Sequence, residues 1–299
     1  MASNARVVAA IDVGSNSVRL LTAKLDGGLI EAVDRGLETT RLIHGMENGM
    51  LTDEAIERTA RAITDFARQA REKGAERVEA FGTSAMRDAA NSARVSDRTE
   101  ALCGLRVRVI AGEEEAALAF AGAAPTGRRG VIDIGGGSTE MIVGENGAPR
   151  AAVSAPVGAV RLMDRLGDRD ADALVRAAGE IVEPFARKMD GEPVDVWMGV
   201  GGTITTLAAM DKGVDKYTPH AIENHPVTRE GAEAWLDRLC GMSAAERKGI
   251  VGLPERRADI IPCGVAVLVA VMRALGIDTV LACDHDNLEG YIRMNMTRN

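Results

Sequence analysis

Aromatic residues are scarce in this sequence, 3% of 299 residues. Few stacking platforms therefore exist for single-stranded nucleic acid. An excess of positive charge is missing as well. The net charge is −8 and the isoelectric point is near 5.2, which argues against a broad nucleic-acid surface. The cysteines are few and scattered (Cys103, Cys240, Cys263, Cys283), with no CxxC pair. A disulfide framework or cysteine-rich zinc module is not expected, and a reduced cytoplasmic setting fits. No apolar run reaches the ~20 residues needed to span a bilayer. The longest uncharged one, Ile260–Met272, is interrupted by Pro262 and reads as a buried helix. The opening MASNARVVAAIDV lacks the apolar core of a signal peptide. Neither nucleic acid nor membrane is expected as a partner.

What remains is globular, with 46% hydrophobic and 27% charged residues. At ~150 residues per domain the length suits two domains. Glycine is abundant at 33 residues, and the most telling of these stand in Val131–Val143, VIDIGGGSTEMIV. An apolar run with one acid, Asp133, meets three glycines, then Ser138, Thr139 and Glu140, then apolar residues again. This reads as strand, tight turn, strand. Glycines at such a turn let consecutive backbone N–H groups converge on an anion. Asp133 and Glu140 flank it and could hold a divalent cation beside a phosphate.

A lone glycine triplet would be an ordinary hairpin turn, but Ala10–Leu21, AIDVGSNSVRLL, repeats the order. Placing Asp12 on Asp133 gives an offset of 133 − 12 = 121 residues. Two such copies predict two related halves, each offering an anion-binding turn and an acid to one cleft.

Along the chain, strands are expected at Val7–Asp12, Val18–Leu25 and Leu29–Leu37, with a turn at Asp26-Gly27-Gly28. Thr52 caps a helix to about Lys73, and Gly74 stops it. Arg77–Phe81 is a strand that ends in Gly82–Arg87, with one helix following to about Leu102. Val107–Ile110 opens into Glu113-Glu114-Glu115 at the head of a helix to Gly122. The small, polar Pro125–Gly130 reads as a linker. The second half repeats the pattern, and Val194–Met198 leads into Gly201-Gly202-Thr203 at the head of a helix. Three helical stretches fill Arg229–Ala274, then a strand Thr279–Ala282 and a helix Leu288–Met294. The expected domains are 1–122, with 288–299 packing back on it, and 123–287. Strands ending in glycine turns are where α/β sheets bind ligands.

Acids at a helix start are favoured by the dipole alone, by up to ~1 kcal/mol each, which accounts for one or two of the three glutamates. The remaining one could face the cleft as a general base. Arg87, beside a strand-end turn, is either a surface arginine or a phosphate contact. Gly201-Gly202-Thr203 suits a phosphate or nucleotide at a helix start.

IDVGSNSVRL, GTSAMRD, AGEEEAALAF, DIGGGSTE, APVGAVRL, GVGGTITTLAAM and ERRADIIPCG occur in this order. Together they resemble the exopolyphosphatase / guanosine pentaphosphate phosphohydrolase family, over nearly the whole chain. DIGGGSTE alone is shared with the wider actin, sugar-kinase and heat-shock-chaperone superfamily. The resemblance implies two ribonuclease-H-like α/β domains facing a cleft. It implies hydrolysis of the terminal phosphoryl group of inorganic polyphosphate, or of the 5′ γ-phosphate of pppGpp, with Mg²⁺ or Mn²⁺. It makes Glu115 the base, with Arg87 and Thr83 at the phosphate. Asp12, Asp133 and Glu140 fall near the metal. Gly14, Ser15, Asn16, Ser17, Gly135, Gly136, Gly137 and Ser138 form the phosphate cradle, joined by Gly201, Gly202 and Thr203.

The chain departs from the family pattern at Ile43-His44, at Glu223-Asn224 and at Cys283-Asp284-His285-Asp286. The last reads as a surface loop, with Cys283 and His285 as metal ligands the alternative. Longer relatives continue into a further helical domain that this sequence does not include. With no long Lys/Arg run, short polyphosphate chains are the expected substrate; a homodimer is the assembly that would supply a basic track. A kinase and a nucleotide-binding switch on the same fold are the competing readings. The GEEEA helix and the absence of a recognisable acceptor motif argue against the first. The intact acids argue against the second.

Overall fold

The computed structural model describes residues 5–26, 29–124, 126–189, 191–214 and 221–297. The turn expected at Gly27-Gly28 lies outside them. The strands are β1 (Arg6–Val13), β2 (Val18–Asp26), β3 (Leu29–Glu38), β4 (Arg77–Gly82), β5 (Val107–Val109), β6 (Arg128–Ile134), β7 (Thr139–Glu145), β8 (Ala148–Ala155), β9 (Val196–Val200), β10 (Pro226–Thr228) and β11 (Thr279–Ala282). The helices are α1 (Asp53–Glu72), α2 (Ser84–Asp88), α3 (Ala93–Cys103), α4 (Gly112–Ala123), α5 (Ala159–Leu166), α6 (Ala171–Ala186), α7 (Gly201–Lys212), α8 (Arg229–Cys240), α9 (Ala244–Arg247), α10 (Ile261–Leu275) and α11 (Asn287–Tyr291). The chain divides into two compact units, residues 1–122 with 287–299, and residues 123–286.

The first unit's sheet runs β3-β2-β1-β4-β5. β1, β2 and β3 are antiparallel, while β4 and β5 join parallel to β1 through helical crossovers. The second unit's sheet runs β8-β7-β6-β9-β11-β10 in the same scheme, closed by a short antiparallel edge strand. Three antiparallel strands followed by parallel ones is the ribonuclease-H-like order. In both sheets the acid sits on an interior strand, β1 or β6, where the antiparallel strands meet the parallel ones.

Helix α1 starts where Thr52 accepts a hydrogen bond from Ala55 N, and its chain leaves through Gly74 at φ +86°. Its apolar stripe, Ile56, Ala60, Ile63 and Ala67, is buried, and the helix packs on β1 and α3. On its other side the first sheet is covered by Leu118 of α4 and by Leu288, Tyr291 and Ile292 from the chain's end, with Phe81 stacked on Tyr291. The terminal helix turns wider from Ile292 to Met296.

The second unit is built around α10. Every side chain from Ile261 to Met272 is buried, as befits a helix apolar on all sides. Pro262 stands in its first turn, where no backbone N–H partner is lost. α10 packs on α5, α6, α7 and α8.

Three expectations are corrected. The helix expected to follow Arg87 begins only at Ala93 (α3), and Arg87 itself stands in a separate short helix, α2; between them the Asn91 side chain bonds both backbone groups of Leu51 (Leu51 N to Oδ1 2.9 Å, Nδ2 to Leu51 O 3.0 Å). Half of the linker expected at Pro125–Gly130 is strand, since β6 begins at Arg128, paired with Glu145. β9 begins two residues late, at Val196, where pairing with Arg129 starts.

Candidate active site

In the first unit Asp12 stands one residue before the end of β1, and Gly14 N closes the following turn on Ser17 O at 3.0 Å. The turn's outer carbonyls are taken by the next loop: Arg41 N bonds Asn16 O (2.8 Å) and Ile43 N bonds Ser15 O (3.2 Å). Arg41 reaches this position in the left-handed region, at φ +48°. Ser15, Asn16 and Ser17 are buried. Asp12 stands opposite Arg19 in the β1–β2 register. Its Oδ2 accepts from Arg19 Nε at 3.1 Å and from Arg19 Nη2. The sequence placed a metal at Asp12; the positive charge beside it is the Arg19 guanidinium.

The parallel neighbour β4 ends at Gly82, and Thr83 N bonds Val13 O at 3.2 Å, which brings Thr83 beside the turn. One helical turn on, Arg87 donates from Nη1 to Glu115 Oε2 at 2.6 Å and to Ile110 O at 3.2 Å. Glu115 sits in the first turn of α4 and is only 5% exposed. Its two neighbours do what dipole-favoured acids do: Glu114 pairs with Arg108 near the surface, and Glu113 extends the acidic first turn. Burial pushes the Glu115 carboxyl up, Arg87 pulls it down, and Asp12 adds to the rise, leaving it at about 7. An acid at that value is half ionised at neutral pH and suited to accept a proton.

In the second unit Gly135 N closes its turn on Ser138 O at 3.0 Å. Here the carbonyls are capped by the start of α5: Ala159 N bonds Gly135 O (3.0 Å), and Val160 N and Arg161 N bond Gly136 O (2.9 and 3.0 Å). Gly158 allows this approach, since a Cβ there would lie 2.6 Å from Gly135 O. Thr139 Oγ1 donates to Val157 O at 2.6 Å. The APVGAVRL segment thus buttresses the glycine turn. Ser138 is buried within it.

Asp133 stands opposite Glu140 in the β6–β7 register, so two carboxylates share one face. Glu140 is 1% exposed, and its Oε1 accepts from Ser154 Oγ at 2.6 Å. The correspondence between the units is one of register: 133 − 12 and 140 − 19 are both 121. The same backbone site carries an acid–arginine pair in one unit and an acid–acid pair in the other. Like charges directly opposite destabilise a sheet, and an all-oxygen donor pair is what a hard divalent cation takes. Asp133 and Glu140 therefore fit a magnesium-class ion.

Gly201 opens α7 at φ +82°, and a Cβ there would lie 2.5 Å from Asp133 Oδ1. Gly202 is covered by the Arg257 guanidinium, which a Cβ at that position would meet. Arg257 was not singled out in the sequence; its only signal was its place in the ERRADIIPCG motif. The Thr203 side chain lies against α10, with Oγ1 2.5 Å from where a Cβ on Gly264 would stand. The Cys283–Asp286 segment is a loop as expected, except that Cys283 within it is buried, 3% exposed.

Two ribonuclease-H-like units, each presenting an acid and an amide-lined turn, with one buried glutamate held by an arginine, define an α/β protein that handles phosphate. The chain belongs to the Ppx/GppA phosphatase family, whose model matches residues 21–298. It is 37% identical over 308 residues to exopolyphosphatase 2 of Mycobacterium tuberculosis, covering 95% of this chain and 96% of that one. It is 31% identical to the guanosine-5′-triphosphate,3′-diphosphate pyrophosphatase of Vibrio vulnificus; the match takes in 93% of this chain but 57% of that protein. The crystal structure of the Aquifex aeolicus Ppx/GppA family member matches with a TM-score of 0.80 at 31% identity, over 97% of each chain. Among the described residues no helix is long and apolar enough to cross a membrane.

Proposed function

We propose that this chain is an exopolyphosphatase that releases the terminal phosphoryl group of inorganic polyphosphate, with Glu115 as the general base. The observation that carries this is the buried Glu115 carboxyl, held near neutrality by Arg87 at 2.6 Å. Water attacks the terminal phosphorus, and its oxygen forms the new P–O bond as the bridging anhydride bond breaks. Glu115 takes the water's proton and later returns it to solvent. Arg87 uses Nη1 on Glu115 and Ile110, and its other N–H groups serve the phosphoryl oxygens. In the first unit the backbone N–H groups of Ser15–Ser17, with Thr83, would bind phosphate oxygens, and in the second unit those of Gly136–Ser138 would do the same. Glu115 and these donors position and neutralise, which is most of what phosphoryl transfer requires.

Asp133 and Glu140 would hold Mg²⁺, or Mn²⁺ in its place, and the ion would neutralise charge on the phosphates. Asp12, which the family resemblance puts near that metal, also holds the Arg19 guanidinium in place. Short chains are the favoured substrate: net charge is −8, no long Lys/Arg run is present, and Arg247 is buried and unavailable to a polyanion. The four cysteines are free thiols, in keeping with action in the cytoplasm.

The Vibrio relative supports a second reading, hydrolysis of pppGpp at the same site. One assay separates them: phosphate release from short polyphosphate, long polyphosphate, pppGpp and ATP, side by side with Mg²⁺. Release from short polyphosphate is expected to dominate. Preference for pppGpp would install the second reading. Transfer to an added sugar without free phosphate would replace both with a kinase.

A further inference from the structure

The second unit brings together three metal-binding side chains that take no part in the reaction above. Glu223, Cys283 and His285 each offer one donor atom, and the three atoms lie within 4.8 Å of one another. They come from two segments that the backbone holds in fixed register. Asn224 N bonds Ala282 O (2.8 Å), and Ala282 N bonds His225 O (2.9 Å). Asn224, between Glu223 and His225, takes the left-handed conformation, φ +57°. Cys283 N bonds Gly199 O at 2.9 Å, which extends the β11–β9 ladder by one residue and fixes the cysteine's backbone. Asp284 N donates to Glu223 Oε2 at 2.9 Å, and Cys283 Sγ donates to His285 O at 3.4 Å. The carboxylate is thus oriented by a backbone amide before any ion arrives.

From this arrangement we infer that Glu223, Cys283 and His285 form a binding site for a zinc-class transition-metal ion. The donor set is one sulfur, one imidazole nitrogen and one carboxylate oxygen. Thiolate and imidazole select zinc-class ions over magnesium and calcium, so this site is distinct in chemistry from the all-oxygen pair Asp133 and Glu140. Bonds of ~2.1 Å to nitrogen or oxygen and ~2.3 Å to sulfur put tetrahedral ligands about 3.4–3.8 Å apart. The observed spread of up to 4.8 Å closes to this by side-chain rotation, since Glu223 and His285 are only half-buried. Three protein ligands leave the fourth position to water. The bound ion ties the 221–225 segment to the end of β11, one strand away from the turn at Gly201.

The test uses the full chain, stripped of metal and titrated with Co²⁺. Cobalt held by a thiolate absorbs in the near ultraviolet through sulfur-to-metal charge transfer; cobalt at an all-oxygen site does not. The expected result is one thiolate-bound cobalt per chain, displaced by Zn²⁺. The band is lost in Cys283→Ser and retained in Asp133→Asn and in Cys240→Ser. His285→Gln and Glu223→Gln, which keep the thiol, should each weaken Zn²⁺ binding by more than the roughly 10–100-fold that loss of an outer-shell partner costs. These two variants decide the matter if Cys283→Ser does not fold. A wild-type chain with no charge-transfer band overturns the inference. So does a band that survives Cys283→Ser, or Zn²⁺ affinity unchanged in both His285→Gln and Glu223→Gln.

Discussion

Replacing Arg87 by Met separates two roles that its position combines. Met fills most of the arginine's volume and keeps water from Glu115, so the change removes charge more than it alters burial. Two unit charges about 4 Å apart at an effective dielectric near 20 interact by about 4 kcal/mol, roughly three pKa units at about 1.36 kcal/mol each. The Arg87 side chain is 21% exposed, and solvent screens part of this; the expected rise in the Glu115 pKa is roughly one to two units. In the wild type kcat/KM climbs as pH rises through about 7, because the base must be ionised. In Arg87→Met that limb moves to higher pH. At pH 7 the ionised fraction falls from about a half to roughly 1–10%, a loss of about 5–50-fold, recovered by raising the pH. Loss of a phosphate contact adds a second, pH-independent decrease, seen in KM. Arg87→Lys restores much of the limb position but not the forked contact. The assay is a full pH profile of phosphate release from a short polyphosphate. A limb that stays at the wild-type pH while activity drops uniformly would refute the claim that Arg87 sets the ionisation of Glu115.

Glu115→Gln should lower kcat by roughly 10²–10⁴-fold with little change in KM; near-full turnover would place the base elsewhere. The same variant carries a stability signature. The folded pKa, about 7, lies above the ordinary glutamate value. The proton therefore stabilises the fold at low pH, and that stability is lost as pH rises through about 7. Urea midpoints of wild type and Glu115→Gln should diverge as pH rises from about 4.5 to about 7 and run parallel above it, with the wild type losing stability relative to the glutamine variant. Asp133→Asn and Glu140→Gln should raise the Mg²⁺ concentration needed for half-maximal activity, and full wild-type activity in excess chelator would remove the ion from the mechanism. Long polyphosphate should be cleaved distributively, so that on a gel the whole population slides downward; intact chains beside free phosphate, with nothing between, would reveal a basic track. Leu268→Ala, at the centre of α10 where the side chain is fully buried, should cost about 2–5 kcal/mol in equilibrium unfolding.

Much of the site was legible because its parts are contiguous. Asp12 through Ser17 and Asp133 through Glu140 are each a strand end and a turn, and glycine and small polar residues announce such turns locally. The pairing of Arg87 with Glu115 was not legible from residues alone. They lie on separate helices, joined only when β4 and β5 lie side by side and Ile110 N bonds Gly82 O at 3.0 Å. The resemblance to a family named Glu115, but the structure supplies the reason it can act, which is burial beside one guanidinium. Arg257 escaped because nothing local says that it covers a glycine 55 residues earlier. β10 escaped because three residues beginning with proline carry too little pattern, and only its pairing with β11 makes it a strand. Asn91 looked like a neutral helix residue, and nothing local announces its bonds to Leu51, 40 residues earlier.

The exchange of Arg19 for Glu140 at one register position has a consequence for how the protein senses its surroundings. A guanidinium built into the chain is present at a fixed stoichiometry in every molecule, whatever the ionic composition outside. An ion held by Asp133 and Glu140 is borrowed from solution, and its occupancy follows the free concentration there. On the function proposed, the duplicated scaffold thus has one constitutive positive charge and one that reports on the cell's supply of divalent cations. That distinction rests on a single residue, because the strands, the turn and the opposing aspartate are common to both copies. A mutation at position 140 would therefore retune the response to cations without redesigning the fold.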